Sequence, residues 1–182
     1  MSDHIFIDLE VQKGLGADRS SASSPIPAAA LVRTNASGKV LASVAENAAS
    51  FKTLYAQVVE LCTGEGFVVV AVFPETKKKA FKDACAYYDL SDPFQGRAWL
   101  DFSQVAWPLA HAGHITNRSL RSVGEHFRIT HDAPGTVTGD VAFLCATYWE
   151  MMRRYRTSLV AEEAVRELGG ETLASIRKFV GF

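Results

Sequence analysis

Two acidic residues stand close together in the first ten residues of the chain. The run from His4 to Leu9 (HIFIDL) is β-branched and aromatic, which predicts a strand that contains Asp8 and is followed by Glu10. Residues two apart on a strand share a face, so the two carboxylates would lie roughly 6–7 Å apart. They repel each other unless hydrogen bonds or a cation such as Mg²⁺ or Mn²⁺ compensate them. Alternatively, the strand ends at the surface, and both carboxylates cap that end while exposed to water.

A third acidic residue, Asp140, lies on a predicted helix over residues 136–156. It stands at the edge of an apolar stripe that includes Val137, Val141 and Leu144. An aspartate in that position is either a solvated edge residue or a ligand that faces into the molecule. Asp140 joins Asp8 and Glu10 as one set only when the rest of the chain is taken into account.

The elements that must position these residues alternate between strands and helices. The turn signal Asn35-Ala36-Ser37-Gly38 predicts a hairpin, and the apolar run GFVVVAVF predicts a strand covered on both faces. Pro74 and Thr76 open the next predicted helix, which runs to Tyr88, with Thr76 as its N-cap. The predicted strands are 4–9, 27–33, 39–44, 66–73 and 98–101, and the predicted helices are 49–62, 76–88, 102–112, 119–127, 136–156, 159–168 and 171–179.

Composition narrows the class of protein further. The chain has 182 residues, of which 48% are hydrophobic and 21% charged, as in an ordinary globular domain. Its net charge of −1 excludes bulk electrostatic attraction to nucleic acid, so any phosphate binding must be local. We expect neither a membrane span nor a signal peptide. Cys62, Cys85 and Cys145 are interpreted as core residues in a reducing cytoplasm, which is the expected compartment.

Several stretches resemble the DEDDh 3′–5′ exonucleases, the proofreading-subunit-like members of the ribonuclease H-like superfamily. They are IFIDLE with the SGKVL turn, FVVVAVFPETKKKAF, CAYYDLSDPFQGRAWLDFSQVA, NRSLRSVGEHFRI and VTGDVAFLCATYWEMM. The resemblance spans about residues 4–155. It implies an α/β, ribonuclease H-like fold with a mixed central sheet, an antiparallel meander plus parallel strands, flanked by helices. We therefore expect an exonuclease-like domain over 1–156 and a helical extension over 157–182.

The resemblance also implies a chemistry, which is metal-dependent phosphodiester hydrolysis at single-stranded nucleic-acid ends. Asp8, Glu10 and Asp140 correspond to catalytic and metal-binding carboxylates of the family. The backbone beside Leu9 would contact the terminal nucleotide. Lys77 and Lys78 belong to a basic cluster at a helix start that is either a solvated face or a contact to the phosphate backbone. Lys79 and Lys82 complete that cluster.

The sequence departs from the family pattern at catalytic positions. Lys77 replaces an aspartate that would bind a second metal ion, and Gly135 replaces the general-base histidine five residues before Asp140. Val72-Phe73 replaces a His-Asn pair. The Lys77 ammonium would either repel a second ion or stand in its place as a monovalent cation, so we expect one Mg²⁺ or Mn²⁺ ion rather than two. Loss of the base alone lowers a rate by about 10²–10⁴-fold, so hydrolysis is expected to be weak or lost.

Three nearby residues could compensate for these losses. His131 precedes Gly135 by four residues and could move into the place of the base. Glu75, expected in the turn before the helix, and Asp83 flank Lys77, although both are expected at the surface. Two hypotheses remain open: a nucleic-acid-binding exonuclease-like enzyme with feeble activity, or an inactive member that serves as a binding or scaffolding subunit.

The C-terminal stretch offers a second possible binding surface. In ETLASIRKFVGF, Leu173, Ile176, Phe179 and Val180 fall on one helical face. That face either packs back on the domain or docks a protein partner.

Overall fold

The computed structural model describes residues 2–11, 26–47, 51–64 and 66–157. Within them a five-stranded mixed sheet has the order β3-β2-β1-β4-β5. The central strand β1 pairs antiparallel with β2 and parallel with β4. The strands are β1 (Asp3–Glu10), β2 (Ala28–Thr34), β3 (Val40–Asn47), β4 (Phe67–Ala71) and β5 (Trp99–Asp101). This confirms the predicted antiparallel meander followed by parallel strands.

The hairpin between β2 and β3 forms because Asn35 organises its turn. The side-chain oxygen of Asn35 accepts hydrogen bonds from the backbone N–H groups of Ser37 and Lys39. Gly38 takes a φ of +87°, which favours glycine, and the ring of Trp149 lies against it. The turn is therefore fixed both locally and by the last described helix.

Two layers of helices cover the two faces of the sheet. Ile5, Ile7 and Leu9 of β1 point into the core on one face, whereas Phe6 points into the core on the other. Asp8 lies on the same face of β1 as Phe6, and the helix that follows residue 136 covers this face. The helices are α1 (Phe51–Leu61), α2 (Pro74–Tyr87), α3 (Phe102–Val105), α4 (Trp107–His111), α5 (Leu120–Phe127) and α6 (Val137–Thr157).

Two sequence predictions about helices were wrong. The stretch predicted as one helix over 102–112 is two short helices, with Pro108 in the first turn of the second. Thr76 is not the N-cap of α2, because that helix begins at Pro74 with Phe73 in the N-cap position. Glu75 accordingly lies in the first turn of the helix rather than before it. Proline at a first helical position fixes the backbone of this start.

The predicted helices over 159–168 and 171–179 lie outside the described residues, as does nearly all of the expected extension 157–182. Among the residues described, no helix is long and apolar enough to cross a membrane.

Candidate active site

A cleft of about 750 Å³ opens where β1 and β4 end side by side. The carboxyl ends of parallel strands meet at one edge of a sheet, which is where α/β folds commonly bind ligands. The segments after β4 and before α6, together with α5 and α6, form its walls. The residues that line it are Ile7, Asp8, Val72, Phe73, Lys77, Leu120, Arg121, Glu125, Ile129, His131, Pro134, Asp140, Phe143 and Leu144.

On the strand side of the cleft, Asp8 forms an ion pair with Lys77. The Lys77 Nζ atom lies 2.9 Å from Asp8 Oδ1 and donates a hydrogen bond of 2.9 Å to the carbonyl oxygen of Val72. The side chains of Lys77 and Asp8 are only 14% and 22% exposed. Partial burial weakens solvent screening, so this pair is stronger than an ordinary surface ion pair.

On the helix side, Asp140 lies beside His131. The imidazole Nε2 is 2.8 Å from Asp140 Oδ1, without the alignment of a hydrogen bond. The same oxygen accepts a 3.3 Å hydrogen bond from the backbone N–H of Gly135. The imidazole stacks on Phe143, with ring centroids 4.3 Å apart and planes within 4° of parallel. An imidazole held beside a carboxylate can take up and release a proton.

Gly139 allows the loop that carries His131 to pack against the start of α6, beside Asp140. A Cβ atom at this residue would lie 2.0 Å from the carbonyl oxygen of Ala133. Only glycine therefore lets the loop before α6 pack so closely on the first turn of the helix. Thr136 supports the same turn, because its hydroxyl accepts the Gly139 N–H and donates to Ala133 O.

Not every residue predicted for the site lines the cleft. Glu10 is exposed at the end of β1, Leu9 is buried in the opposite core, and Lys78 is exposed on α2. None of the three is among the described residues that line the cleft. Asp8, Lys77 and Asp140 do line it, so the structure brings together part of the predicted set.

The sequence reasoning missed several lining residues, of which Arg121 and Glu125 are charged. Arg121 and Glu125 form an i,i+4 ion pair on α5, with Arg121 Nε 2.8 Å from Glu125 Oε1. The i,i+4 spacing in RSVGE predicts the ion pair, but it does not indicate that the pair borders a cleft. Phe73 is 72% exposed and has a φ of 54° and a ψ of 59°. A run of apolar letters through Phe73 instead suggested a buried strand end.

The described arrangement does not fit a divalent metal ion. Mg²⁺ needs several oxygen ligands in near-octahedral geometry. Within the described ranges no group of three or more His, Cys, Asp or Glu side chains could hold an ion. The ammonium of Lys77 also contacts the Asp8 oxygen that such an ion would need. At an effective dielectric constant of 20, a divalent ion 4 Å from that ammonium would be repelled by about 8 kcal/mol.

The three cysteines are free and buried, and none of them is among the described residues that line the cleft. Burial raises the pKa of the Cys145 thiol to about 12, and likewise that of Cys62 and Cys85. All three stay protonated near neutral pH, so none is a ready nucleophile or metal ligand. Their predicted role as core residues is confirmed.

Comparison by sequence gives no relative: no family model and no curated protein matches the chain. Comparison by structure gives a clear answer. The nuclease domain of 3′hExo, a DEDDh family member, bound to rAMP superposes with a TM-score of 0.63 at 11% identity, over 84% of this chain and 92% of that chain. This chain has the DEDDh exonuclease fold. The predicted ribonuclease H-like architecture is thereby confirmed.

Two further structures agree with this fold. Exonuclease I from Methylocaldum szegediense has a TM-score of 0.63 at 13% identity and covers 88% of this chain. This chain spans 42% of that one, which is less than half its length. The structure of a 3′-exonuclease in 3′-end specific recognition of histone mRNA stem-loop has a TM-score of 0.57 at 11% identity. The match covers 86% of this chain and 82% of that chain. At such low identity the likeness establishes the fold alone.

Proposed function

We propose that this protein is an exonuclease-like domain that binds single-stranded nucleic-acid ends in the cleft, with phosphodiester hydrolysis weak or lost. One observation carries the proposal: in a DEDDh exonuclease fold, Asp8 and Asp140 border the same cleft at the end of the central strand. The bound terminus would be the 3′ end, the end at which exonucleases of this fold act.

The cleft has cationic groups that suit phosphate oxygens. Lys77 and Arg121 approach it from the strand side and from α5. Both side chains donate several hydrogen bonds, and charge-assisted bonds to phosphate are stronger than neutral ones. Because the whole chain has a net charge of −1, this local pair of cations is the reasonable source of phosphate affinity.

The catalytic positions support only weak hydrolysis. Gly135 has no side chain that can take a proton from water, and Lys77 carries a positive charge where the resemblance implies a carboxylate. His131 is the group best placed to substitute for the base, since its imidazole lies beside Asp140 at the cleft. It would hold or move a proton at a ring nitrogen, with Phe143 fixing the plane of the ring.

The second candidate function is that of an inactive member that acts as a binding or scaffolding subunit. The Lys77–Asp8 ion pair favours it, because it compensates one carboxylate without help from outside the chain. A partner at the C-terminal helical face and the cytoplasmic location stay predictions, whereas the expected single Mg²⁺ or Mn²⁺ ion does not fit the described arrangement of Lys77 and Asp8. The titration described in the next subsection tests the ion.

The direct test measures binding and degradation together. Fluorescence anisotropy with labelled single-stranded DNA and RNA is expected to detect binding that weakens when the 3′ end is blocked. Arg121→Ala is expected to weaken binding about tenfold by removing a charged donor from the cleft. Gel analysis of the same oligonucleotides with wild-type protein is expected to show slow shortening from the 3′ end or none.

The matched control is Lys39→Ala, which removes the same charge near the hairpin turn at the opposite end of the sheet. It should bind like the wild type. The proposed function is wrong if no oligonucleotide binds, or if Arg121→Ala and Lys39→Ala behave alike. Rapid shortening to mononucleotides would instead show that Lys77 and Gly135 are compatible with full catalysis.

A further inference from the structure

We infer that the Lys77 ammonium takes the place of a divalent ion, and that the cleft binds the phosphate of a nucleic-acid end without metal. The inference rests on the proposed function for the identity of the ligand. Its statement about metal stands on the geometry of Lys77 and Asp8 alone.

The backbone at the start of α2 positions the Lys77 side chain beside Asp8. The helix begins at Pro74, so Lys77 lies at the fourth helical position. Side chains of a helix lean toward its N-terminus. A lysine in the first turn therefore points back to the strand ends, and Lys77 contacts Asp8 of β1 and Val72 just after β4. The lysine at this position is thus directed inward rather than into solvent.

The contacts of Lys77 leave capacity for a ligand. An ammonium has three N–H donors and no acceptor. Asp8 Oδ1 and Val72 O take two of them at 2.9 Å each. Because Lys77 also lines the cleft, its third donor is available to a phosphate oxygen. One positive charge then serves two anions, the Asp8 carboxylate and the phosphate, which is the role a metal ion fills in metal-dependent phosphoryl chemistry.

The other carboxylate of the cleft also has partners from within the chain. Asp140 Oδ1 has His131 Nε2 at 2.8 Å and the N–H of Gly135 at 3.3 Å. Neither Asp8 nor Asp140 is therefore left as a bare buried carboxylate that requires an added cation. Lys77 balances the charge of Asp8, and the Gly135 N–H donates a hydrogen bond to Asp140.

The test is calorimetric titration of Mn²⁺, with oligonucleotide binding measured in EDTA and in Mn²⁺ at matched ionic strength. Wild-type protein is expected to give no saturable Mn²⁺ heat and equal oligonucleotide affinity in both buffers. Lys77→Asp is expected to gain a saturable Mn²⁺ site. Its oligonucleotide affinity should fall about tenfold in EDTA and recover in Mn²⁺, because a charged donor is lost and then replaced.

The control is Lys78→Asp, which makes the same charge change one residue away on an exposed position outside the cleft lining. It should gain no Mn²⁺ site. Saturable Mn²⁺ binding by wild-type protein that Asp8→Asn removes would overturn the inference. So would an Mn²⁺ site of equal strength in Lys78→Asp.

The wild-type titration decides the question even if Lys77→Asp does not fold. It also separates this inference from the proposed function. Absence of oligonucleotide binding in both buffers overturns the proposed function and with it the phosphate ligand. A wild-type Mn²⁺ site together with metal-dependent oligonucleotide binding overturns only the inference about Lys77.

Discussion

Phe73 has an unfavourable backbone conformation at the border of the cleft. Its φ of 54° lies in the left-handed region, and the following residue is a proline. A bulky residue in this region costs about 1–2 kcal/mol relative to the right-handed one. The side chain recovers little of this cost through burial, because it is 72% exposed. This conformation of Phe73 nevertheless allows α2 to begin at Pro74. A helix that begins there directs the Lys77 side chain to Asp8.

Replacing Phe73 with glycine should stabilise the protein. Glycine adopts positive φ without a Cβ clash, and we expect the free energy of unfolding to rise by about 1 kcal/mol after its greater chain entropy is subtracted. Urea denaturation measures the change. Asp89→Gly is the control, since Asp89 also has a φ of 54° but aspartate tolerates that region better. A loss of stability in Phe73→Gly would mean that the ring makes contacts worth more than the strain.

The site could be predicted in part, and the reason differs from residue to residue. Asp8 and Asp140 are charges beside apolar patterns, but the resemblance to the exonucleases is what marked them as site residues. The resemblance placed Lys77 at a metal position, where it could stand in for the ion, but its contact with Asp8 depends on a helix start without the N-cap predicted at Thr76. The sequence also could not place His131, because its position depends on how a loop packs against Gly139.

At the scale of elements, α5 and α6 meet at a contact that only glycine allows. A Cβ atom on Gly124 would lie 2.1 Å from the nearest ring carbon of Phe143. Phe143 is itself buried and stacked on His131. The close approach of the two helices therefore fixes the ring that holds the imidazole in the cleft.

Gly124→Ala should destabilise the protein, although alanine normally favours a helix. We expect a loss of about 1–3 kcal/mol, because the added methyl group must displace a packed ring. Thermal and urea unfolding measure the loss. The double variant Gly124→Ala with Phe143→Leu should lose less than the two single variants added together, since the smaller side chain makes room. Simple additivity would show that the two residues do not compete for the same space.

Elements with a clear hydrophobic period were predictable, and short ones were not. The β-branched and aromatic run of β1 and the turn signal at Asn35 predicted the strand and the hairpin correctly. The pair α3 and α4 was predicted as one helix, because apolar residues continue through Pro108. Proline is compatible with a new first turn, so the chain restarts a helix there instead of extending one.

Among the described residues, Glu150 on α6 is a source of acid sensitivity for the whole molecule. Hydrogen bonds from Arg153 and Arg154 lower the pKa of Glu150 from 4.5 to about 2, against the opposing effect of burial. A carboxyl whose folded pKa is lowered stabilises the fold above its unfolded pKa. That contribution disappears as the pH falls from about 4.5 through about 2.

Glu150→Gln should therefore lower the stability at neutral pH and change it little near pH 2. Urea unfolding of both proteins at several pH values should show the difference closing between about pH 4.5 and pH 2. Glu125→Gln, which removes an exposed partner of Arg121, is the control and should have a smaller effect at neutral pH. A difference that stays constant with pH would mean that Glu150 acts through packing rather than charge.

The two carboxylates of the cleft come from opposite ends of the described chain, which matters during synthesis. Asp140 follows Asp8 by 132 residues. At about 5–20 residues per second, a ribosome adds it roughly 7–26 s later. Lys77, the ion-pair partner of Asp8, is added about midway between the two. The cleft itself is completed only when α6 arrives, so a chain whose translation stops early lacks a finished binding site.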